Sequence, residues 1–296
     1  MQNVAPTPEV ELREQQFAAG AATLNAALAG DGGVPLVLLH GVTRRWLDFQ
    51  GVLPSLVRTH RVMAADHRGH GGSSHGHADY RVCDFVEDTV ALLETHVRKP
   101  AVLVGHSLGA MTAAMVAARV PHLVRSLVLE DPPGTLLETG LEESRYYMQF
   151  TGVRQLLATP RPAHELADAL AALPVQHPAD GRVVAFRELR DEATLRFAAE
   201  CLVRMDPRVL DAIIEGRWLD GLDWFGELKR IECRTLLLRA DMPYGGMLRE
   251  AEAAMIEKNI PKCERVDFPA TGHSIHVAAA ARFLDEVGRF LAQSGN

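Results

Sequence analysis

Hydrophobic positions along the chain fall into two alternating patterns. Short apolar runs bounded by turn residues recur as "VPLVLLHG" (34–41), "RVMAAD" (61–66), "AVLVGHS" (101–107), "LVRSLVLED" (123–131), "RTLLLRAD" (234–241) and "CERVDFP" (263–269). They are apolar on both faces, which suits strands of a parallel sheet covered by helices. Between them lie helical patterns. In 82–97, Val82, Phe85, Val86, Leu93 and Val97 recur at three- and four-residue steps. The Ala-rich run 108–120 follows a strand directly, and 276–293 reads as a terminal amphipathic helix. The first segment, 10–30, resembles two strands of an antiparallel hairpin.

The stretch 133–218 breaks this alternation. It is helical in pattern, rich in Ala, Leu, Glu and Arg, and has no clear strand; Pro160, Pro162, Pro174, Pro178 and Pro207 cut it into short helices. A structureless loop of that length is unusual inside a compact domain, so the expectation is a helical cap over one edge of the sheet. This divides the chain into a core, 1–132 and 219–296, and a cap, 133–218. No internal repeat or low-complexity tract interrupts the pattern.

Composition adds boundaries. The chain has 296 residues, 47% hydrophobic and 23% charged, enough for a sizeable core. The net charge of −7, with Lys and Arg scattered, is not built to attract nucleic acid or an anionic membrane. No apolar segment approaches the roughly 18 residues of a membrane span. The first residues lack a basic stretch followed by an apolar one, so no signal peptide is expected. Cys83, Cys201, Cys233 and Cys263 are far apart without a C-x-x-C, which reads as reduced thiols of a cytoplasmic protein. A homodimer is allowed by the sequence but not specified by it.

Three short stretches carry chemistry. "GHSLG" (105–109) fits G-x-S-x-G with a strand before it and a helix after it. A sharp strand-to-helix turn strains the middle residue and exposes the Ser107 hydroxyl at a helix N-terminus. "LLHGVTRRW" (38–46) ends a strand in His40-Gly41; the backbone N–H of Val42 and that of Leu108 are the candidate oxyanion-hole donors. His40 reads as a buried residue shaping that loop. "FPATGHSIH" (268–276) follows the final strand. Among 13 histidines, His273 alone follows that strand with small residues around it, so it is the candidate general base. His276, its rival, reads as the first turn of the helix.

Elbow, HG loop and chain order together resemble the α/β-hydrolase superfamily, and "MAADHRGHGGS" (63–73) is similar to its D-x-R-G-x-G-x-S segment. The resemblance implies an α/β-hydrolase fold: a mostly parallel eight-stranded sheet flanked by helices, with the helical cap inserted after strand 6 and the catalytic residues at strand C-terminal ends. It also makes 63–73 a structural turn. The same stretch offers His67, His70, His75 and His77 as metal ligands but lacks a carboxylate or Cys at ligand spacing. "GHGGSS" lacks the third glycine of a dinucleotide fingerprint. No metal or cofactor is expected.

The acid has two candidates. In the family the seventh strand is commonly followed by Gly and, three residues later, Asp; here Ala240 and Pro243 occupy those places, and Asp241 comes early. Asp131 in "LVLEDPPG" ends the sixth strand beside the one carrying Ser107. Glu130 alternates away from it. Asp131 is the favoured acid and Asp241 the alternative. An acid after strand 6 followed by proline resembles hydrolases of N-formylmaleamate and of acetamidomethylene succinate; lactone hydrolases of the zearalenone type also carry the acid there.

The implied activity is acyl transfer to water from a small-molecule amide or ester. A serine at the elbow sets the chain apart from dehalogenases and epoxide hydrolases of this fold. Candidate substrate-binding residues are Arg44, Arg45, His106, Arg145, Tyr146 and Trp218, the arginines as partners of a substrate carboxylate. The other readings are a carboxylesterase or lactonase with an apolar pocket, and a non-catalytic ligand-binding relative.

Overall fold

The computed structural model describes residues 11–134 and 140–293. Residues 1–10, 135–139 and 294–296 fall outside that description, and with them the N-terminal segment read for a leader and an early part of the cap.

Ten strands are present among the described residues. They are β1 (Arg13–Ala19), β2 (Ala22–Ala29), β3 (Val34–Leu39), β4 (His60–Ala65), β5 (Ala101–His106), β6 (Val124–Glu130), β7 (Pro174–Gln176), β8 (Val183–Ala185), β9 (Arg234–Ala240) and β10 (Cys263–Phe268). Eight form one sheet in the order β1-β2-β4-β3-β5-β6-β9-β10. β2 pairs antiparallel with β1 and β4, and every other pairing in that sheet is parallel. This is the sheet of an α/β-hydrolase fold, with helices on both faces.

The apolar runs become strands because both of their faces find cover. Val37, Leu39, Leu103, Leu127, Leu129 and Leu237 are buried in one cluster with residues of α2 (Val82–Leu92) and α3 (Leu108–Arg119). α1 (Leu53–Leu56) lies on the other side. There Leu36, Leu38, Val102, Val104, Val128, Leu236 and Leu238 meet Phe283, Val287 and Phe290. Those three aromatic and aliphatic residues come from the helix Ala280–Ala292, whose apolar stripe recurs every three or four positions. The terminal helix is interrupted: a turn Ile275–Ala278 precedes it, and the backbone opens at Ala279.

Between β6 and β9 the chain forms the helices Tyr147–Leu156, Ala163–Ala172, Glu192–Leu202 and Val209–Ile214. The expectation of no strand in this stretch is corrected. β7 and β8 pair antiparallel, with Val175 opposite Val184. Their strands are only three residues long, too short for an alternating pattern. The six-residue loop between them, 177–182, turns at Asp180-Gly181, with Gly181 at φ 72°.

Candidate active site

The elbow forms where β5 runs into α3. Ser107 sits between them at φ 55°, ψ −116°, a conformation that costs a non-glycine residue about 1–3 kcal/mol. The fold holds it there. Its N–H donates to Glu130 O at 2.9 Å, and its carbonyl accepts from Ala110 and Met111 at 2.9 and 3.1 Å. A Cβ on Gly105 would collide with the Gly109 backbone, and one on Gly109 with the backbone of Leu39, so both positions demand glycine.

At the end of β6 the next strand along places a carboxylate. Asp131 is fully buried and also has positive φ, 42°, before Pro132 and Pro133. Its N–H donates to Leu238 O at 2.8 Å, which ties it to β9. Three donors converge on its side chain: Ala240 N–H at 3.1 Å, Met247 N–H at 2.8 Å and His273 Nδ1 at 2.6 Å. Asp241 does something else. Its carboxylate accepts from Ala270 N–H at 2.9 Å, its own N–H donates to Thr271 O, and its carbonyl accepts from Tyr244 and Gly246. It fastens the loop after β9 to the loop after β10.

The loop after β3 closes over the elbow. Gly41 is pressed so near it that a Cβ there would lie 2.9 Å from His106 Nδ1 and 3.2 Å from Ser107 Cβ. His40 beneath it is fully buried, bonded to Gly41 O through Nδ1 and receiving His67 N–H at Nε2. His67 Nε2 in turn donates to His40 O, and His70 Nδ1 to Arg68 O. Burial, reinforced by neighbouring histidines, pushes His40 well below its ordinary pKa and His67 down to about 3. Burial takes His70 to about 4. These rings are neutral scaffold. Asp66, from the same turn, accepts Trp46 N–H and Gly72 N–H, and Arg68 forks onto Asp88.

Comparison with known proteins agrees with this architecture. The family model described as alpha/beta hydrolase fold matches residues 34–279. The chain belongs to that family. It is similar to a 2-hydroxymuconate semialdehyde hydrolase of a Pseudomonas species, 28% identical over 98% of this chain and 97% of the relative. A 2-(acetamidomethylene)succinate hydrolase of Mesorhizobium japonicum is 40% identical, but over only 38% of this chain and about two fifths (40%) of that protein. Among solved structures, an N-formylmaleamic acid deformylase from Pseudomonas putida superposes with a TM-score of 0.73 at 20% identity, over 93% of this chain and 100% of that one. That last likeness is one of fold.

In this α/β-hydrolase a cavity of about 670 Å³ opens above the elbow, lined by Ser107 and His273. Core and cap both supply its walls. Val42, Arg44, Leu108, Tyr146 and Trp218 line it, as does His106, although the His106 ring is buried and its Nε2 lies 3.2 Å from His273 O. Two expected substrate residues are not among those lining this cavity. Arg145 spends its guanidinium on Pro178 O, Met242 O, Gly246 O and the Tyr146 hydroxyl, stitching the cap to the loop after β9. Arg45 lies over the Trp46 ring and is not part of the wall. Those carbonyls come from chain 33, 97 and 101 residues away, so sequence could not foresee the use.

The wall also holds residues that sequence reasoning missed: Arg190 from the cap, with Phe150, Phe186 and Phe197. Arg190 is exposed overall, though its guanidinium lies over the Phe186 ring, 5.8 Å from the centroid, and is partly desolvated there. That desolvation, with the charge of Arg44 next, lowers its pKa. Among the described residues its one side-chain hydrogen bond runs from Nη1 to Leu189 O at 2.8 Å, and no carboxylate lies within ion-pair distance. No motif marks such a residue. Among the described residues, no helix is long and apolar enough to cross a membrane.

Proposed function

We propose that this α/β-hydrolase is a serine hydrolase that cleaves a small carboxylated amide or ester through an acyl-enzyme, using Ser107, His273 and Asp131. The observation that carries this reading is the 2.6 Å contact between His273 Nδ1 and Asp131 Oδ2, with His273 and Ser107 lining one cavity.

Donation from Nδ1 to Asp131 fixes the tautomer, so Nε2 bears the lone pair a general base needs. As Ser107 Oγ attacks the carbonyl carbon, Nε2 takes its proton. The carbonyl oxygen gains charge, which the Val42 and Leu108 N–H groups stabilise. Leu108 opens α3, so its N–H has no partner within the helix. Collapse expels the leaving amine or alcohol, protonated by His273. Water, activated by the same ring, then releases the acid and frees Ser107.

Arg44 and Arg190 support an anionic substrate. Two guanidinium groups share the wall, and Arg190 lacks an acidic partner, an arrangement suited to a carboxylate. Two of the similar proteins are named for a succinate and a maleamic acid. The second reading, an esterase or lactonase for neutral substrates, is favoured by the aromatic wall of Phe150, Phe186, Phe197 and Trp218.

Turnover of p-nitrophenyl hemisuccinate against p-nitrophenyl butyrate separates the two. A lower KM for the hemisuccinate, abolished by Arg190→Gln, is expected. Preference for the butyrate, unchanged by that substitution, would favour the apolar reading. Reaction with a serine-directed fluorophosphonate, followed by peptide mass spectrometry, is expected to label Ser107.

A further inference from the structure

Each residue of the proposed triad has a close neighbour in sequence with a buried ionisable side chain. His106 precedes Ser107, Glu130 precedes Asp131, and His276 follows His273 by one turn. These neighbours meet in the cavity wall, which His106, His276 and Asp48 help to line. His276 Nδ1 lies 2.8 Å from both Glu130 oxygens, and the His276 backbone N–H donates to Glu130 Oε1 at 2.9 Å. His276 Nε2 faces Asp48 Oδ2 at 3.3 Å. His106 Nδ1 stands 3.9 Å from the same oxygen, while its Nε2 donates to the His273 carbonyl at 3.2 Å. Asp48 is also 3.6 Å from Arg44, on the loop that bears Val42.

All four groups are buried, with Glu130 at 0% and His276 at 1% exposure. Burying ionisable groups costs stability that an apolar filling of the same space would not. The charges balance: Glu130 and Asp48 against His276 and Arg44, with His106 neutral. Burial disfavours the His276 cation, but Glu130 and Asp48 outweigh it and lift its pKa to about 10. Burial drives His106 the other way, to about 3. The rings of Phe49, Phe283 and His106 also pack around His276, which lines the cavity as well. Glu130 is hydrogen-bonded at Nδ1, and Asp48, 3.3 Å from Nε2 without hydrogen-bond alignment, adds a second negative charge; both favour the doubly protonated ring.

We propose that His276 is a positioning residue: an imidazolium held between Glu130 and Asp48 that clamps the turn 272–276, with His106 as the strut beneath the His273 carbonyl. The clamp keeps His273 directed at Asp131 and Ser107. It joins the four loops of the site, since its members come from the ends of β5 and β6, the turn after β3 and the turn after β10. This inference rests on the proposed triad but adds a role none of its members has.

The test uses the intact protein with p-nitrophenyl acetate. Glu130→Gln and His276→Asn each remove one charge at similar volume. The expected result is a kcat lowered roughly tenfold to a hundredfold, because displacing a catalytic group by about 1 Å has that effect, with KM changed by less than about twofold. The downfield N–H proton of His273 in the NMR spectrum broadens with it. Asp48→Asn, across the His276 ring from Glu130, carries the same expectation should either variant fail to fold. In the unsubstituted protein, NMR titration finds His276 protonated through about pH 9, well above the ordinary histidine value of 6.5. A folded variant with kcat within about twofold of the parent, an unmoved His273 proton, or a His276 titrating near 6.5 would overturn the clamp. Failure of the triad itself reads differently: Ser107→Ala would then keep its turnover.

Discussion

His273 Nδ1 stands 2.6 Å from Asp131 Oδ2, and the same carboxylate receives the N–H groups of Ala240 and Met247. Asp131 is therefore fixed by β9 and the loop behind it before it orients the histidine. Replacing it with Asn keeps the shape but turns an acceptor into a donor at Nδ1, which favours the wrong tautomer. Asp131→Asn is expected to lower kcat by about 10² to 10⁴. Asp241→Asn weakens only the tie to Ala270 N–H, and its kcat is expected within roughly tenfold of the parent. Steady-state kinetics of the two variants decide between them; the reverse ranking would move the acid to Asp241.

Gly41 tests the loop above the elbow. A methyl group there meets His106 Nδ1 and Ser107 Cβ, so Gly41→Ala has to push the loop off Ser107, the proposed nucleophile. The Val42 N–H moves with it. Loss of one oxyanion donor costs on the order of 10² to 10³ in kcat. A kcat near the parent's, in a variant that binds substrate normally, would remove Val42 from the oxyanion hole.

Arg190 is expected to act on KM. Arg190→Gln should raise KM for p-nitrophenyl hemisuccinate about tenfold, the loss of one charge-assisted contact of about 1.4 kcal/mol, and leave the butyrate ester nearly unaffected. Equal effects on both esters would make Arg190 a wall residue without charge recognition.

Stability should peak close to pH 6.5, the ordinary histidine value. His67, His70 and His106 have folded pKa values of about 3, 4 and 3, so below pH 6.5 the unfolded chain takes up more protons and stability falls with pH. His276, raised to about 10, works in the opposite window: its contribution is full below pH 6.5 and is lost as pH rises toward 10. Thermal midpoints measured from about pH 4 to about pH 9 should fall on both sides. His276→Gln should flatten the alkaline side alone; a steeper alkaline fall in that variant would contradict the raised value.

Much of this was legible because its signals are local. The elbow needs Gly105 and Gly109 for close backbone approach, and the HG loop needs Gly41, so each leaves a fixed spelling. The occupancy of Pro243 pointed away from the loop after β9 and toward "LEDPP". Other features depend on contacts between distant segments. Arg145 looked like a substrate residue because its acceptors, the carbonyls of Pro178, Met242 and Gly246, carry no sequence signature. Arg190 is one arginine among many until the fold sets it in the cavity wall. Strand alternation did turn Glu130 away from Asp131, but its partner His276 and Asp48 beyond lie on other elements. The hairpin β7–β8 escaped because two three-residue strands are too short to show a period.

The most direct test of the central claim is the turnover of p-nitrophenyl acetate by Ser107→Ala against the unsubstituted protein. The account predicts that the substitution removes turnover down to the level of the oxyanion hole alone, a loss of at least about 10³, in a protein that remains folded. Equal rates for the two proteins would contradict it.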